Sequence, residues 1–300
     1  MGGKKVLVNE VTRFNDIYVI QDGDIRELWF KGAADYFLQS RIDVRRHRSL
    51  KMIYAQPMIA SLLIKPDPKR ALIIGLGGAI LPNFLAELYP EMEIDNVEVD
   101  PKVVEIAKKY FFFRETKRCR VFKRDGRVFI QERQGKIVYD LVFLDAFKSG
   151  SVPFHLKTRQ FYEEILGLLN PAGGVVGSNL YGKSNALKPH DLKTFANVFK
   201  HNYIFEDPDQ VATALHAANG ETRLSPDDFM AAADALSASK PFPVSMKDVA
   251  AMYKPNAFAE KVGFVFKDDF AEGRFLESVE ENNLSGEKPR AYAIKNTFEG

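Results

Sequence analysis

The chain has 300 residues, 46% of them apolar and 27% charged, which is the composition of an ordinary globular protein with one large domain or two modest ones. This composition excludes a coiled coil, a disulfide-stapled miniprotein and a disordered tail. A net charge of +2 is too balanced for a protein that grips nucleic acid through its phosphates, so we expect a small-molecule partner. With a single cysteine, Cys119, and no apolar run of about 18 residues, the chain is expected in the cytoplasm, without a membrane partner.

Apolar and polar residues alternate in short runs over residues 5–42, and turn residues such as Asp22 and Gly23 separate the runs. This pattern predicts antiparallel strands joined by hairpins. Residues 49–64 then carry apolar side chains at helical spacing, which predicts a linking helix. We therefore expect an N-terminal β domain with a linking helix over residues 1–65.

A different rhythm follows the Pro-rich stretch 65–69, because apolar strands now alternate with helices of about ten residues. Strands are predicted at 71–74, 93–99, 120–123, 141–144, 175–180 and 202–206, and helices at 80–89, 101–110, 127–131, 158–169 and 192–199. This alternation indicates a doubly wound, mostly parallel sheet built from right-handed crossovers. We expect this α/β domain over residues 66–220. A C-terminal helical extension over 221–300 completes the prediction, with helices at 225–239 and 245–253.

Ligands bind open parallel sheets at the carboxyl ends of the strands. The first predicted strand is followed by Gly75-Leu76-Gly77-Gly78, whose glycines let backbone amides approach a ligand. The second ends at Glu98, a carboxylate that can accept hydrogen bonds from both hydroxyls of a ribose. Because Ile80 stands where the dinucleotide fingerprint has its last glycine, the pattern favours an S-adenosyl nucleoside over NAD.

The third and fourth predicted strands also end in acidic residues. Asp125-Gly126 has the composition of a plain turn, but its place at a strand end favours a carboxylate that accepts from an adenine amino group. Asp145 ends the fourth strand, where the reacting centre of the ligand would lie. His155, on the next loop, is a weaker candidate for a general base, and a local hydrogen-bonding role is the alternative.

In order and spacing, these motifs resemble the spermidine synthase (polyamine aminopropyltransferase) family from about residue 14 to residue 210. The segments that carry the resemblance are Gly75-Leu76-Gly77-Gly78, Val97-Glu98-Val99-Asp100-Pro101, Asp125-Gly126, residues 139–145, Phe161-Tyr162-Glu163 and residues 169–174. The resemblance implies the class I S-adenosylmethionine-dependent methyltransferase fold, in which a Rossmann-like sheet of seven mostly parallel strands follows a small N-terminal antiparallel β domain.

The resemblance also implies the co-substrate and the site. The co-substrate would be decarboxylated S-adenosylmethionine or S-adenosylmethionine, with no metal. Glu98 would bind the ribose, Asp125 with Gly126 the adenine, and the loop of Gly75, Gly77 and Gly78 the region of the sulfonium tail. Asp145 would be catalytic, because an amine with a pKa near 10 must lose a proton before it attacks. Gln39 would lie near the aminopropyl donor, and Tyr54, Gln39 and Phe147 would contact the acceptor.

Three departures from the family pattern leave the reaction open. Gly78 stands where synthases carry Asp, and Tyr54-Ala55-Gln56 replaces Tyr-His-Glu. Residues 145–148 read Asp-Ala-Phe-Lys, with a lysine where the Asp-Ser-x-Asp-Pro signature has its second Asp. A dicationic diamine needs carboxylates at both ends, because a desolvated ammonium without a partner is costly. The alternatives are therefore aminopropyl transfer to an amine acceptor, methyl transfer from S-adenosylmethionine, and nucleoside binding without catalysis. By analogy, a homodimer would use the N-terminal β unit or residues 111–113.

Overall fold

Four antiparallel strands form an N-terminal sheet within the residues that the structure describes. The structure is a computed structural model, and the described residues are 4–32, 35–46, 55–148, 152–180, 187–209, 212–255, 263–270 and 274–283. The strands β1 (Lys5–Val11), β2 (Asp16–Asp22), β3 (Ile25–Lys31) and β4 (Tyr36–Asp43) pair in chain order. Gly23 makes the β2–β3 turn with a φ of 55°, a conformation that glycine adopts at little cost. The predicted antiparallel β unit is confirmed.

The second sheet has seven strands in the described part of the chain, in the order β10-β11-β9-β8-β5-β6-β7. These strands are β5 (Arg70–Ile74), β6 (Glu93–Glu98), β7 (Cys119–Lys123), β8 (Leu141–Leu144), β9 (Val175–Asn179), β10 (His201–Glu206) and β11 (Thr213–Ala218). Strands β5 to β9 pair in parallel, whereas β11 is antiparallel to both of its neighbours. The mostly parallel, doubly wound seven-stranded fold is confirmed. Strand β11 was not predicted, because its alanines and histidine have little β propensity.

Helices flank the parallel strands. They are α1 (Ala55–Met58), α2 (Ser61–Ile64), α3 (Ile80–Leu88), α4 (Pro101–Tyr110), α5 (Gly126–Arg133), α6 (Arg159–Leu166), α7 (Lys188–Ala196), α8 (Pro226–Ser239), α9 (Met246–Ala251) and α10 (Phe275–Asn283). The linking helix predicted at 49–64 differs in part: residues 49–54 lie outside the described residues, and the remainder forms the short helices α1 and α2. Tight bonds from Ala60 N–H to the Pro57 carbonyl and from Leu62 N–H to the Ile59 carbonyl interrupt the α-helical ladder there.

Capping side chains fix the starts of the helices that follow the strands. Asp100 accepts a hydrogen bond from the Lys102 N–H before α4, and Pro101 occupies the first helical position. Ser225 forms a reciprocal capping box with Asp228 at the start of α8. Because these caps are visible in the sequence, the predicted starts of α4 and α8 agree with the structure.

The C-terminal helices α8 and α9 pack onto the antiparallel edge of the large sheet. Phe229 of α8 lies with its ring 5.3 Å from Tyr203, 5.2 Å from Phe205 and 4.8 Å from Tyr253. These rings belong to the same apolar core as the inner face of the N-terminal sheet, so the C-terminal helices share a core with the rest of the chain. The three domain boundaries given above stay predictions.

The run at residues 111–113 is divided by burial. Phe111 and Phe113 are buried, whereas Phe112 is 40% exposed and has a φ of 61°. Within this run the Phe112 ring is therefore the exposed one, and a homodimer through residues 111–113 or the N-terminal β unit stays a prediction. Of the helices in the described ranges, none has the length and apolar character needed to cross a membrane.

Candidate active site

A cavity lies at the carboxyl ends of β5, β6, β7 and β8, the place where open parallel sheets bind ligands. It is partly open to solvent and lined by both polar and apolar residues, which suits a small molecule. Residues that line it include the predicted Gln39, Gly75, Gly77, Glu98, Asp125, Gly126, Asp145 and Phe147. Tyr54 lies outside the described residues. The structure thus brings most of the predicted site residues together in one cavity.

The loop after β5 depends on its glycines. Gly75 has a φ of 98° and Gly77 a φ of 50°, both in the left-handed region. A Cβ atom on Gly75 would lie 2.4 Å from the carbonyl oxygen of Asp145, so only a glycine lets the ends of β5 and β8 approach this closely. The absence of a side chain at Gly75 therefore allows the loop to lie close to the backbone of Asp145.

Glu98 is held rigidly at the end of β6. Its Oε2 accepts a hydrogen bond from the Leu76 N–H and its Oε1 accepts one from the Asp100 N–H, each at 3.0 Å. Burial raises the pKa of Glu98, although these backbone donors act in the opposite direction. The carboxyl group therefore has a fixed orientation at the edge of the cavity.

Asp125 caps α5 and is nearly buried. Its Oδ1 accepts from the N–H groups of Arg127 at 2.9 Å and Val128 at 3.0 Å. Its Oδ2 lies 2.9 Å from His155 Nε2 and accepts from Asn283 Nδ2 at 2.8 Å. Burial raises the pKa of Asp125, but the bonds from His155, Asn283 and the backbone outweigh it, and the pKa falls below its usual range. Asp125 is therefore an ionised acceptor.

His155 is fully buried, and its Nε2 donates to the ionised Asp125. Of the two roles considered from the sequence, the structure shows this local hydrogen bond. His155 therefore supports the orientation of Asp125.

Asp145 lies at the end of β8, where its Oδ1 accepts a hydrogen bond from Asn179 Nδ2 at 2.9 Å. Asn179 ends the neighbouring strand β9, is 4% exposed and lines the same cavity. The sequence analysis missed Asn179, although a polar residue at the end of an apolar strand is a usable signal. The Asn179 bond holds the Asp145 carboxyl group in one orientation.

The sequence matches the spermine/spermidine synthase domain over residues 51–212, which is more than half of the chain. The chain belongs to the spermine/spermidine synthase family. The polyamine aminopropyltransferase of Vibrio vulnificus strain CMCP6 is 31% identical over 279 residues, covering 92% of this chain and 93% of the relative. The chain is thus a transferase.

Two solved structures share the fold. A probable spermidine synthase from Corynebacterium glutamicum superposes with a TM-score of 0.69 at 18% identity, covering 89% of this chain and 97% of the other. Human methyltransferase-like protein 13, solved in complex with SAH, superposes with a TM-score of 0.57 at 24% identity, covering 75% of this chain and all of the other. At these identities the likeness concerns the fold alone, which spermidine synthases and methyltransferases have in common.

Gly78 differs in environment from the other loop glycines. Its N–H donates to Ser40 Oγ at 2.8 Å, and a Cβ atom on Gly78 would lie 2.6 Å from the Cβ of Ser40. Where the synthase pattern has Asp, this chain therefore packs Ser40 of β4 against the loop. An Asp side chain at position 78 would require Ser40 to move.

The N-terminal sheet reaches the cavity through the turn between β1 and β2. Asp100 Oδ2 accepts from Thr12 Oγ1 at 2.7 Å and from Asn15 Nδ2 at 2.9 Å. Phe14 and Asn15 of this turn line the cavity, as does Gln39 of β4, whose Nε2 donates to the Phe37 carbonyl. The sequence analysis gave no signal for Thr12 or Asn15, because their partner lies 85 to 88 residues further along the chain.

The C-terminal segment also contributes to the cavity wall through Asn283, the last residue of α10. The sequence analysis predicted no individual helix after residue 253 and no site residue in this C-terminal segment. Across the described ranges, no group of three or more His, Cys, Asp and Glu side chains is arranged to hold a metal ion.

Proposed function

We propose that this chain transfers an aminopropyl group from decarboxylated S-adenosylmethionine to an amine acceptor, with Asp145 as the residue that takes the proton of the amine. The observation that carries the proposal is the position of Asp145. Its carboxyl group, oriented by Asn179, lies in the same cavity as the nucleoside-binding candidates Glu98 and Asp125. The aminopropyltransferase relative that matches almost the whole chain supports the same reaction.

In this reaction the amine nitrogen attacks the aminopropyl carbon bonded to the sulfonium sulfur. A C–N bond forms and the C–S bond breaks, and sulfur keeps the electron pair, so that 5′-methylthioadenosine leaves. The amine gives its proton to Asp145. Because the sulfonium is already a good leaving group, the residues of the chain have to align the reactants and remove this proton.

The nucleoside end of the cavity is assigned to residues at the ends of β5, β6 and β7. Glu98 is proposed to accept from the ribose hydroxyls, which suits its fixed carboxyl group. The backbone of Gly75 and Gly77 is proposed to lie along the sulfonium tail, with Gly78 supporting the loop through Ser40. The adenine would lie toward Asp125 and Gly126. SAH in the fold-related human protein supports an S-adenosyl co-substrate.

The acceptor end is assigned to Gln39 and Phe147, which line the cavity with Asp145, and Tyr54 stays a predicted acceptor contact. Lys148 lines the cavity as well. A lysine disfavours a second ammonium close by, because like charges repel in a partly buried site. The proposed acceptor presents one amine to Asp145, and the panel of monoamines and diamines tests whether Lys148 disfavours a second ammonium.

Methyl transfer from S-adenosylmethionine is the second candidate. The environment of Gly78 favours methyl transfer, because Ser40 fills the space in which the synthase pattern has an Asp side chain. Calorimetry separates the two reactions. A methyltransferase site should bind S-adenosylmethionine more tightly than the decarboxylated form, whereas an aminopropyltransferase site should show the opposite preference.

The test of the proposed function is product analysis by mass spectrometry with a panel of monoamines and diamines and each of the two donors. The wild type should form aminopropylated amine only with the decarboxylated donor. Asp145→Asn should lose roughly two to four orders of magnitude in rate while still binding nucleoside. The exposed Asp67→Asn is the matched control and should keep full activity.

Other outcomes would contradict the proposal. Methylated product would favour the second candidate. Nucleoside binding without turnover of either donor would indicate a protein that binds nucleosides without catalysis.

A further inference from the structure

We propose that Asn283 reads the amino edge of the adenine base and that Asp125 positions the Asn283 carboxamide for this contact. The proposal rests on the nucleoside site of the proposed function, and it does not depend on which group is transferred. It deepens that function by naming a base-specificity residue in the C-terminal helix α10.

The first step of the argument is the hydrogen-bonding capacity of Asp125. Among the described residues, four N–H groups donate to its carboxylate: the backbone of Arg127 and Val128, His155 and Asn283. A carboxylate offers about four lone-pair positions. An adenine amino group that bonded directly to Asp125 would therefore have to displace one of these donors. The direct contact expected from the sequence has no vacant acceptor position in this arrangement.

The second step is the chemistry of Asn283. This residue lines the cavity and is 9% exposed. One N–H of its carboxamide is given to Asp125, and the group carries a second N–H and a carbonyl oxygen besides. Asparagine recognises adenine in just this way, with its oxygen accepting from the amino group and its N–H donating to a ring nitrogen. With one N–H given to Asp125, the second N–H and the carbonyl oxygen are the groups with which Asn283 would meet a base.

The third step is the anchoring of the segment that carries Asn283. Arg127 is 2% exposed and donates to both oxygens of Asp268 at 2.8 Å, as well as to Glu164. The rings of Phe270 and Phe275 lie 5.7 and 5.2 Å from its guanidinium carbon. A bidentate ion pair with a buried arginine has a defined geometry. Asn283 is therefore held against the cavity by a network that begins two residues after Asp125.

Calorimetry with two nucleosides tests the proposal. The probes are 5′-methylthioadenosine and 5′-methylthioinosine. In the inosine compound an oxygen acceptor replaces the amino donor of the adenine base. The wild type should prefer the adenine compound, and Asn283→Ala should bind it about tenfold more weakly while losing most of the preference. Asn283→Asp keeps the shape but cannot donate to Asp125, and it should show the same loss. Glu277→Gln, an exposed change on the same helix, is the matched control and should leave both affinities unchanged.

Several results would overturn the proposal. Unchanged affinity of Asn283→Ala for the adenine compound would show that Asn283 does not contact the base. Tighter adenine binding in that variant would mean that the carboxamide occupies the place of the base and must leave. A wild type with equal affinity for the two probes would exclude amino-edge recognition. Failure of aminopropyl transfer with every amine would contradict the proposed function alone, because these binding measurements involve no transfer.

Discussion

Asn179 Nδ2 donates a hydrogen bond to Asp145 Oδ1 at 2.9 Å, joining the carboxyl ends of two neighbouring parallel strands. The bond links a residue proposed to take a proton with a buried amide that does not ionise. Since both side chains sit directly at strand ends, their separation is set by the sheet rather than by a loop. The orientation of the proposed catalytic carboxyl group is thus built into the sheet.

Replacing Asn179 with Ala should lower kcat about tenfold to a hundredfold, because Asp145 would lose the donor that fixes its orientation. The KM for the nucleoside donor should change little, since Glu98 and the glycine loop are unaffected. Steady-state kinetics with both substrates varied would measure the two parameters. The exposed Asn219→Ala serves as control, and an unchanged kcat in Asn179→Ala would contradict the positioning role.

Gly75→Ala should destabilise the chain by several kcal/mol and abolish nucleoside binding. The new Cβ would combine a positive φ with a 2.4 Å approach to the Asp145 carbonyl. Gly135→Ala is the matched control, because Gly135 has a φ of 66° but no atom within 4 Å of the added Cβ. That variant should lose only about 1–2 kcal/mol. Urea unfolding and calorimetry would measure the two effects, and equal losses in both variants would show that the close approach is unimportant.

Thr12→Val should raise the KM for the nucleoside donor severalfold without affecting the α4 cap. Valine keeps the shape of threonine but removes the hydroxyl that donates to Asp100 Oδ2, so the turn carrying Phe14 and Asn15 would be held less firmly. Asp100 Oδ1 would still cap α4 through the Lys102 N–H. Kinetics and thermal unfolding would separate binding from stability. The exposed Thr222→Val is the control, and equal KM values in both variants would contradict the prediction.

Acid should destabilise the fold through His216. This histidine is fully buried, with Ser61 Oγ 2.8 Å from its Nδ1 and the Pro57 carbonyl 2.8 Å from its Nε2. Burial lowers its pKa to about 4 in the folded state, against about 6.5 in the unfolded chain. Between these values the unfolded state binds more protons. The contribution of His216 to the free energy of unfolding is therefore complete above pH 6.5. It declines as the pH falls toward 4, by roughly 3 kcal/mol in all.

Urea unfolding at pH 7.5, 6 and 5 measures this effect. His216→Gln retains a donor and an acceptor but cannot be protonated, and it should show a flatter decline of the unfolding free energy below pH 6.5. The partly exposed His201→Gln is the control and should keep the steeper decline of the wild type. Identical slopes in wild type and His216→Gln would assign the acid sensitivity to other groups.

Much of the α/β core could be predicted from local sequence signals. Strands β5 and β8 are short apolar runs, and the ends of four parallel strands are marked by Gly75, Glu98, Asp125 and Asp145, each within two residues of the last strand residue. The capping residues Asp100 and Ser225 indicated where α4 and α8 begin. These features depend on neighbours in the chain, which a sequence displays directly.

The missed features depend on partners far away in the chain. Asn283 meets Asp125 across 158 residues, and Asn15 meets Asp100 across 85. Neither asparagine lies in a pattern that distinguishes it from an ordinary surface residue. Strand β11 likewise exists because two neighbouring strands pair with it, since its own residues have weak strand preference. Tertiary pairing, rather than local propensity, decided each of these.

The buried guanidinium of Arg127 has a consequence for chimeric and truncated variants of this protein. Glu164 and Asp268 both form ion pairs with it, and Asp268 comes from the stretch that follows the sheet. A graft that keeps the seven-stranded sheet but exchanges the tail would remove the bidentate Asp268 partner from a buried arginine, unless the new tail supplies a carboxylate at the same place. Sequence swaps in this protein should therefore keep or exchange Arg127 and Asp268 together.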